Sequence, residues 1–444
     1  RKGNEAKQRE THSEEGGRLL FSKGRPENSN TAVEAQAGSE GESRMAESTS
    51  VAKEACVEQK KNKASGFDFY NQLGAPKHVV APMVNQSELP FRMLCRRYGA
   101  DLCYTPMIHA GLCCRKKGHI WDVFHTAEGD DPLIAQFCAN NTEQFIQSAR
   151  MIEDQVQGVD LNLGCPQGIA RRGHYGAFLL EEFSLLKEMV TTAHLHLNVP
   201  VTCKIRKLPK PEDTMALAHL LQNAGCQILT VHGRTRDEIN QKIGDCDFGI
   251  IRRIKQELKI PVFSNGGIES FGDIDKCLKE TGADAVMVSE AILEDPSLFS
   301  GKTYDPCDIA DEYLQLVDKY PSMKAEFCVR PHLYKMMYKE LRYYTDLRDE
   351  WCHAPADVLR KGPQEIRERR AKNNSADAKK ILAMPTWYRR HRTAAAEKKR
   401  REEQKRKKLL VERKKEKEEE EARGDEETLL QRFFDNSSDE SEDE

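Results

Sequence analysis

The chain has no apolar run approaching the roughly 18 residues that a membrane-spanning helix needs, and no two of its cysteines stand in CxxC spacing. The first absence argues against a bilayer span. The second argues against a zinc site. Its 14 cysteines are scattered singly, or adjacent as Cys113 and Cys114, with no secretory pattern ahead of them. That usage disfavours a disulfide framework. A charge of one sign is missing too: 69 basic and 72 acidic residues leave a formal net charge of -3. These lacks together predict a soluble protein of a reducing compartment, cytoplasmic, nuclear or both, with no membrane and no metal partner.

Length and patterning then say what is present. With 444 residues the chain has room for one large domain, a smaller one and tails. Charged residues, 32% of the total, gather at the two ends. Residues 1–66, rich in Glu, Ser, Gly, Lys and Asn, predict a disordered leader in which Met45 is a candidate start. A transit peptide is the rival reading, and Glu5, Glu10, Glu14, Glu15, Glu27 and Glu34 argue against it. Residues 396–444 form a charge run that predicts a disordered tail. Its basic part suits a nuclear signal or an RNA tether, and its acidic serines suit phosphorylation.

From Gly66 onward short apolar runs alternate with helix-patterned segments. Strands are predicted at His78–Met83, Asp101–Pro106, Leu133–Ala139, Val159–Gly164, Val201–Arg206, Ile228–Gly233, Pro261–Gly266 and Ala285–Glu290. Helices are predicted at Glu88–Tyr98, Thr142–Gln155, Leu180–Leu197, Pro211–Ala224, Phe248–Leu258 and Ser270–Thr281, with Asn141 as a cap of the second. Continuous apolar strands between amphipathic helices mean a parallel sheet covered on its faces. Eight such units predict an α/β fold, a (β/α)8 TIM barrel over residues 67–304. A doubly wound open sheet is the runner-up, but Ala81-Pro82-Met83-Val84-Asn85 is no dinucleotide fingerprint. Residues 305–395 then predict an all-helical domain, with helices over Ile309–Tyr320, Phe327–Tyr344 and Pro355–Arg370. Its basic residues, among them Arg330, His332, Lys335, Lys339, Arg342, Arg389, Arg390 and Arg392, suit a nucleic-acid face as well as a merely solvated one.

Active sites of parallel barrels collect at the carboxyl ends of the strands. Here those ends carry Pro82, Met83 and Val84; Gln136; Asn162 and Cys165; Lys204 and Arg206; His232 and Arg234; Asn265, Gly266 and Gly267; and Ser289 and Glu290. A lone cysteine is usually a small buried hydrophobe, and it is this company that marks Cys165 out. The glycine pair suits an anion, since backbone N–H groups can approach it closely there, although a glycine pair is also an ordinary turn. His232 adds a donor to the same corner. Lys204, ending an apolar strand, suits a Schiff-base amine, a phosphate counter-charge or a cation beside a bound cofactor; a lysine that merely snorkels is the bland reading. Phosphate at one end, Lys204 across the pocket, the Gln136 amide and a Pro-Met platform fit FMN. Cys165 then serves as a proton donor, because a thiol of ordinary pKa, about 8.5, keeps its proton at neutral pH.

These residues also resemble a known family. Ala81–Val84, Asp160-Leu161-Asn162-Leu163-Gly164-Cys165-Pro166-Gln167, Arg172-Gly173-His174-Tyr175-Gly176-Ala177, Thr202–Arg206 and Val231-His232-Gly233-Arg234-Thr235 resemble the tRNA-dihydrouridine synthases, in order, from about Gly66 to Leu298. The His174-Tyr175 and Cys203–Arg206 variants look closest to the eukaryotic branch acting on uridines 16 and 17 of the D-loop. The resemblance implies an FMN-bound barrel, NADPH or NADH as reductant, and a helical domain that binds the D-arm and elbow of tRNA, in a monomer. It makes Cys165 the donor to uracil C5 while hydride reaches C6, puts Asn162 and Arg234 at the uracil edge, and puts Lys204 at the flavin pyrimidine. His232, Asn265, Gly266 and Gly267 would hold the ribityl phosphate. Arg171, Arg172, Arg330 and Lys335 become candidate tRNA contacts, and the target base must be extruded at a cost of a few kcal/mol. One departure stands out: many members carry Gly-Arg after the last strand, and this chain has Ser289-Glu290. Two other readings compete, a Schiff-base lyase using Lys204 and an RNA-binding protein with an inactive barrel. The first leaves Cys165 unexplained, and the intact set of Cys165, Lys204 and His232 weighs against the second.

Overall fold

In a computed structural model of the chain, the described residues are 63–390 and some positions between 401 and 413. The expected leader up to residue 62 and most of the expected tail lie outside them. Nine parallel strands form one sheet: β1 (His78–Val80), β2 (Leu102–Tyr104), β3 (Ile108–His109), β4 (Leu133–Cys138), β5 (Gly158–Leu163), β6 (Val201–Arg206), β7 (Leu229–His232), β8 (Val262–Asn265) and β9 (Ala285–Val288). Pairing of β2 with β4 closes eight of them into a ring, and the two-residue β3 adds only to the carboxyl end of β4. The eight predicted strands are therefore present and closed as a barrel. β3 and the short helices Ala110–Arg115 and His119–Val123 after it are additions that the apolar pattern did not announce.

The continuous apolar strands hide a period of two. Residues such as Val80, Cys103, Ala135, Val159, Leu161, Cys203, Ile205 and Val231 face outward into the core under the helices. Their neighbours Val79, Ala81, Leu102, Tyr104, Ile134, Phe263, Ala285 and Met287 face inward into a separate cluster. Helix Gly66–Gln72, which the sequence reading left unassigned, contributes Phe69 and Tyr70 to that inner cluster and stops the amino end of the barrel. Tyr70 meets Phe263 edge-on, with ring centroids 6.1 Å apart. Both faces of each strand are buried, which is why the strands read as unbroken apolar runs.

The outer helices start where the caps allow. Asn141 accepts from the N–H of Gln144, Asp247 from that of Ile250, and Ser270 with Asp273 forms a capping box ahead of helix Phe271–Thr281.

Beyond β9 the chain is helical. Helix Pro306–Lys319 packs against Leu89–Arg97 of the barrel and against Met323–Met336. A buried trio joins them: Tyr313 Oη donates to Glu88 Oε1 at 2.8 Å, and His332 Nε2 lies 3.1 Å from Glu88. The long helix expected over Phe327–Tyr344 begins earlier and breaks at Met337. Ser322 caps the Ala325 N–H, and Met337 at φ -97°, ψ 23° is buried in the core rather than continuing the helix. Among the described residues, no helix is long and apolar enough to cross a membrane, and no cluster of three or more potential ligands could hold a metal ion.

Candidate active site at the carboxyl end of the barrel

Strand register assembles the site. Parallel pairing sets Asn162 beside Lys204, Arg206 beside His232, His232 beside Asn265, and Asn265 beside Met287. Because side chains alternate, these residues point the same way as the inner apolar cluster but one layer higher. Of these, Lys204, Arg206, His232, Asn265 and Met287 line a cavity of about 280 Å³. Of the sequence-predicted residues, Pro82, Lys204, His232, Arg234, Asn265, Gly266, Gly267, Ser289 and Glu290 line it.

Cys165 stands at the edge of this wall, next to the lining residues Pro166 and Gln167. Its loop is fixed from below. Asn162 Oδ1 accepts from the N–H groups of Gly164 at 3.1 Å and Cys165 at 3.0 Å. The other end of that amide donates to Gln136 Oε1 at 2.7 Å, and Gln136 donates in turn to Asp160 at 2.8 Å. Thr202 Oγ1 also donates to Asp160, at 2.6 Å. Gln136 and Asn162 are thus outside the lining, in a buried polar network in which each member has a partner. Met83 is half-buried and Val84 is 53% exposed, both on the loop after β1 and outside the lining.

The electrostatics follow from burial among cations. The Lys204 ammonium donates to Asn265 Oδ1 at 2.6 Å, and burial, with Arg206 nearby, pulls its pKa down to about 7. Burial and the neighbouring Arg206, Lys204 and Arg234 hold His232 well below the usual imidazole range. A neutral ring accepts at Nε2 from the Arg234 guanidinium 3.2 Å away. Burial pushes the Cys165 thiol up, so it holds its proton more firmly than an exposed cysteine.

The loop after β8 forms one corner. Gly266 and Gly267 adopt φ of 96° and 83°, and a Cβ on Gly266 would come within 2.8 Å of His232 Cδ2. Only glycine lets this loop lie against the histidine. Among the described residues no carbonyl accepts the N–H of Gly266 or Gly267. Two spare N–H donors beside Lys204, Arg206 and Arg234 make a corner suited to a phosphate, and the donor set as a whole fits a phosphorylated cofactor such as FMN.

Other predicted residues are placed elsewhere. Arg171 and Arg172 are exposed on the short helix Gly168–Gly173 that follows Cys165. Arg330 reaches three carbonyls, those of Trp351 at 2.6 Å, Cys352 at 2.5 Å and Ala354 at 2.7 Å, and so fastens the end of helix Thr345–Trp351. Lys335 is buried, donates to Pro331 O at 2.8 Å and stands over the Trp387 ring. Neither lines the cavity. Among the cavity-lining residues that sequence reasoning left out of the site are Glu238, Tyr388 and Arg390. Arg206, read from the sequence as a strand end beside Lys204, lines the cavity as well. Tyr388 and Arg390 sit about a hundred positions downstream, where no local pattern connects them to a strand end.

The chain is similar in sequence to known proteins. The family described as Dihydrouridine synthase (Dus) matches residues 79–384, through the barrel and most of the helices after it. A mouse protein named tRNA-dihydrouridine(16/17) synthase, NAD(P)(+)-like, is 45% identical over 291 residues, covering 65% of this chain and 61% of the mouse protein. The Saccharomyces cerevisiae tRNA-dihydrouridine(16/17) synthase is 39% identical over 332 residues, 69% of this chain and 78% of the yeast protein. A human tRNA-dihydrouridine(20a/20b) synthase-like protein is 35% identical over 291 residues, 64% of this chain and 88% of that one. The chain spans 61% and 66% of the lengths of its mouse and rat relatives.

Proposed function

This chain belongs to the dihydrouridine synthase family, and from that premise we propose that it reduces uridine to 5,6-dihydrouridine in the D-loop of tRNA, at positions 16 and 17. In this reading the barrel mouth would hold FMN, with NADPH or NADH as the reductant. The observation that carries the proposal is the cationic cavity, with spare N–H donors at one corner and a proton-holding thiol at its edge.

FMN, once reduced by NADPH or NADH, would supply the hydride to uracil C6. The chain's own residues do the rest. Lys204 would stand at the flavin pyrimidine, where a cation favours negative charge on the ring. His232 and the Gly266-Gly267 loop would take the phosphate. Cys165 Sγ–H delivers the proton to C5 from the opposite side of the base, and its raised pKa keeps the proton in place until the hydride arrives. Asn162 positions Cys165 by holding two N–H groups of its loop. Arg171 and Arg172, exposed beside that loop, are placed to meet the phosphate backbone of the RNA. Residues 305–395 form the second part of the tRNA-binding surface in this proposal.

The experiment is twofold. Purified protein should be yellow and release FMN on denaturation, and tRNA from cells lacking it should lose dihydrouridine at positions 16 and 17. Colourless protein, or unchanged tRNA, overturns the reading.

A further inference from the structure

The chain crosses back over the barrel mouth once its helices are complete. Residues 386–390 are held there by four contacts. Glu294, just after β9, accepts from the backbone N–H of Trp387 at 2.7 Å and of Tyr388 at 3.4 Å. Arg389 Nε donates to Glu269 at 2.6 Å, and Tyr388 stands close enough to Arg234 to help hold its guanidinium pKa above the usual value. Tyr388 and Arg390 consequently line the same cavity as His232 and the glycine pair.

Arg390 is set in place with care. Its guanidinium lies flat over the Trp387 ring, 3.4 Å from the centroid, donates to Trp387 O at 2.8 Å and donates to Glu290 Oε1 at 2.9 Å. A guanidinium has five N–H donors in a rigid fork. Two have acceptors here, and the others find none among the described residues, although only 22% of the side chain is exposed.

Glu290 poses the question that Arg390 answers. It follows β9 directly, its residue lines the cavity with Gly266 and Gly267, and an unpaired carboxylate there would repel a phosphate dianion. With Arg390 on it, the carboxylate's charge is balanced and the corner gains a fork whose free edge matches phosphate oxygens. Arg390 lies a hundred residues from its partner, so the cation is supplied from outside the barrel sequence altogether.

We propose that Arg390, carried into the barrel mouth by the segment 386–390 and held by Glu290 and Trp387, is the phosphate-binding arginine of the site and gives it its preference for a phosphorylated over an unphosphorylated flavin. The inference rests on the FMN reading above.

The test is equilibrium titration of FMN and of riboflavin into full-length protein freed of flavin, followed by flavin fluorescence. Wild-type protein should favour FMN. Arg390→Ala should weaken FMN binding about 10- to 100-fold, the size of a lost charge-assisted pair, while riboflavin binding changes less than about twofold. The double variant Glu290→Gln with Arg390→Ala should stay weak for FMN. If the double variant regains wild-type affinity, Arg390 merely neutralises Glu290 and the proposal fails. Equal losses for FMN and riboflavin also overturn it, because they report a displaced segment and not a phosphate contact. Wild-type protein that binds neither flavin removes the FMN reading and this proposal together; wild-type preference that survives in Arg390→Ala removes this proposal alone.

Discussion

The barrel interior has two layers made by the same strands, and they obey opposite rules. The lower layer, around Phe69, Tyr70, Leu102, Ile134, Phe263 and Ala285, is apolar and sealed by a helix. The upper layer, one period further along each strand, holds Gln136, Asp160, Asn162, Lys204, His232 and Asn265, nearly all of them buried and hydrogen-bonded to one another or to backbone. The lower layer is set mainly by packing, with the Tyr70 hydroxyl reaching out of it to Pro76 O and Asp284 O. In the upper layer every polar group needs a partner, so its geometry is specified by hydrogen bonds. The difference assigns fold stability to one layer and chemistry to the other.

The sharpest way to break that division is at the top. Cys165→Ala should lower uridine reduction about 100- to 10,000-fold, the range for a lost general acid. FMN retention, tRNA affinity and melting temperature should stay near wild type, since the loop is held through the Asn162 side chain and the Cys165 backbone. Near-normal turnover by this variant would remove the thiol from the mechanism. The complementary change is below. Phe263→Ala empties a fully buried ring from the inner cluster and should cost about 3–5 kcal/mol of stability, measured by chemical unfolding, without altering the relative affinities for FMN and riboflavin.

Asp160 sits where the two layers meet, and pH tests it. Burial raises its pKa from 3.8 to about 6, against the hydrogen bonds from Thr202 and Gln136 that pull it down. Between those values the native protein holds a proton that the unfolded chain has lost. The Asp160 contribution is therefore complete below about pH 4 and disappears as the pH rises through 6, a change of about 1–3 kcal/mol. Unfolding measured from pH 4 to 7 should show this slope in wild type and lose it in Asp160→Asn. Equal slopes would mean that the carboxyl does not titrate in that window.

How far the two layers were legible in the sequence depends on the distance over which the cause acts. The eight strands were readable because burial on both faces leaves unbroken apolar runs, and Lys204 showed as the one ammonium inside such a run. Gly266-Gly267 and the Asn141 cap are equally local. The alternation that sorts Val159 and Leu161 outward while Asp160 and Asn162 go inward is hidden in the run, and only the polar residues betray it. Helix Gly66–Gln72 went unassigned, since its burial depends on a barrel floor made by strands far along the chain. Arg390 lies beyond any periodicity, because what places it is Glu294 and Glu290 across a hundred residues. Arg330 shows the reverse: its charge suggested RNA, and its surroundings give it three carbonyls.

That contrast between exposed and embedded arginines yields the smallest predicted effect. Arg171 and Arg172 are exposed beside the Cys165 loop, where each is free to displace a counterion from a tRNA phosphate. Replacing both with Gln should weaken tRNA binding and flatten its dependence on salt by about one unit of slope per arginine lost, with no change in melting temperature. Arg330→Gln should do the opposite. Its guanidinium is the donor to carbonyls of Trp351, Cys352 and Ala354, so its loss leaves acceptors unpaired and should lower the melting temperature while the salt slope stays at the wild-type value. A salt slope that falls for Arg330→Gln and not for the Arg171 and Arg172 pair would move the electrostatic footprint of the tRNA away from the barrel rim and onto the helices.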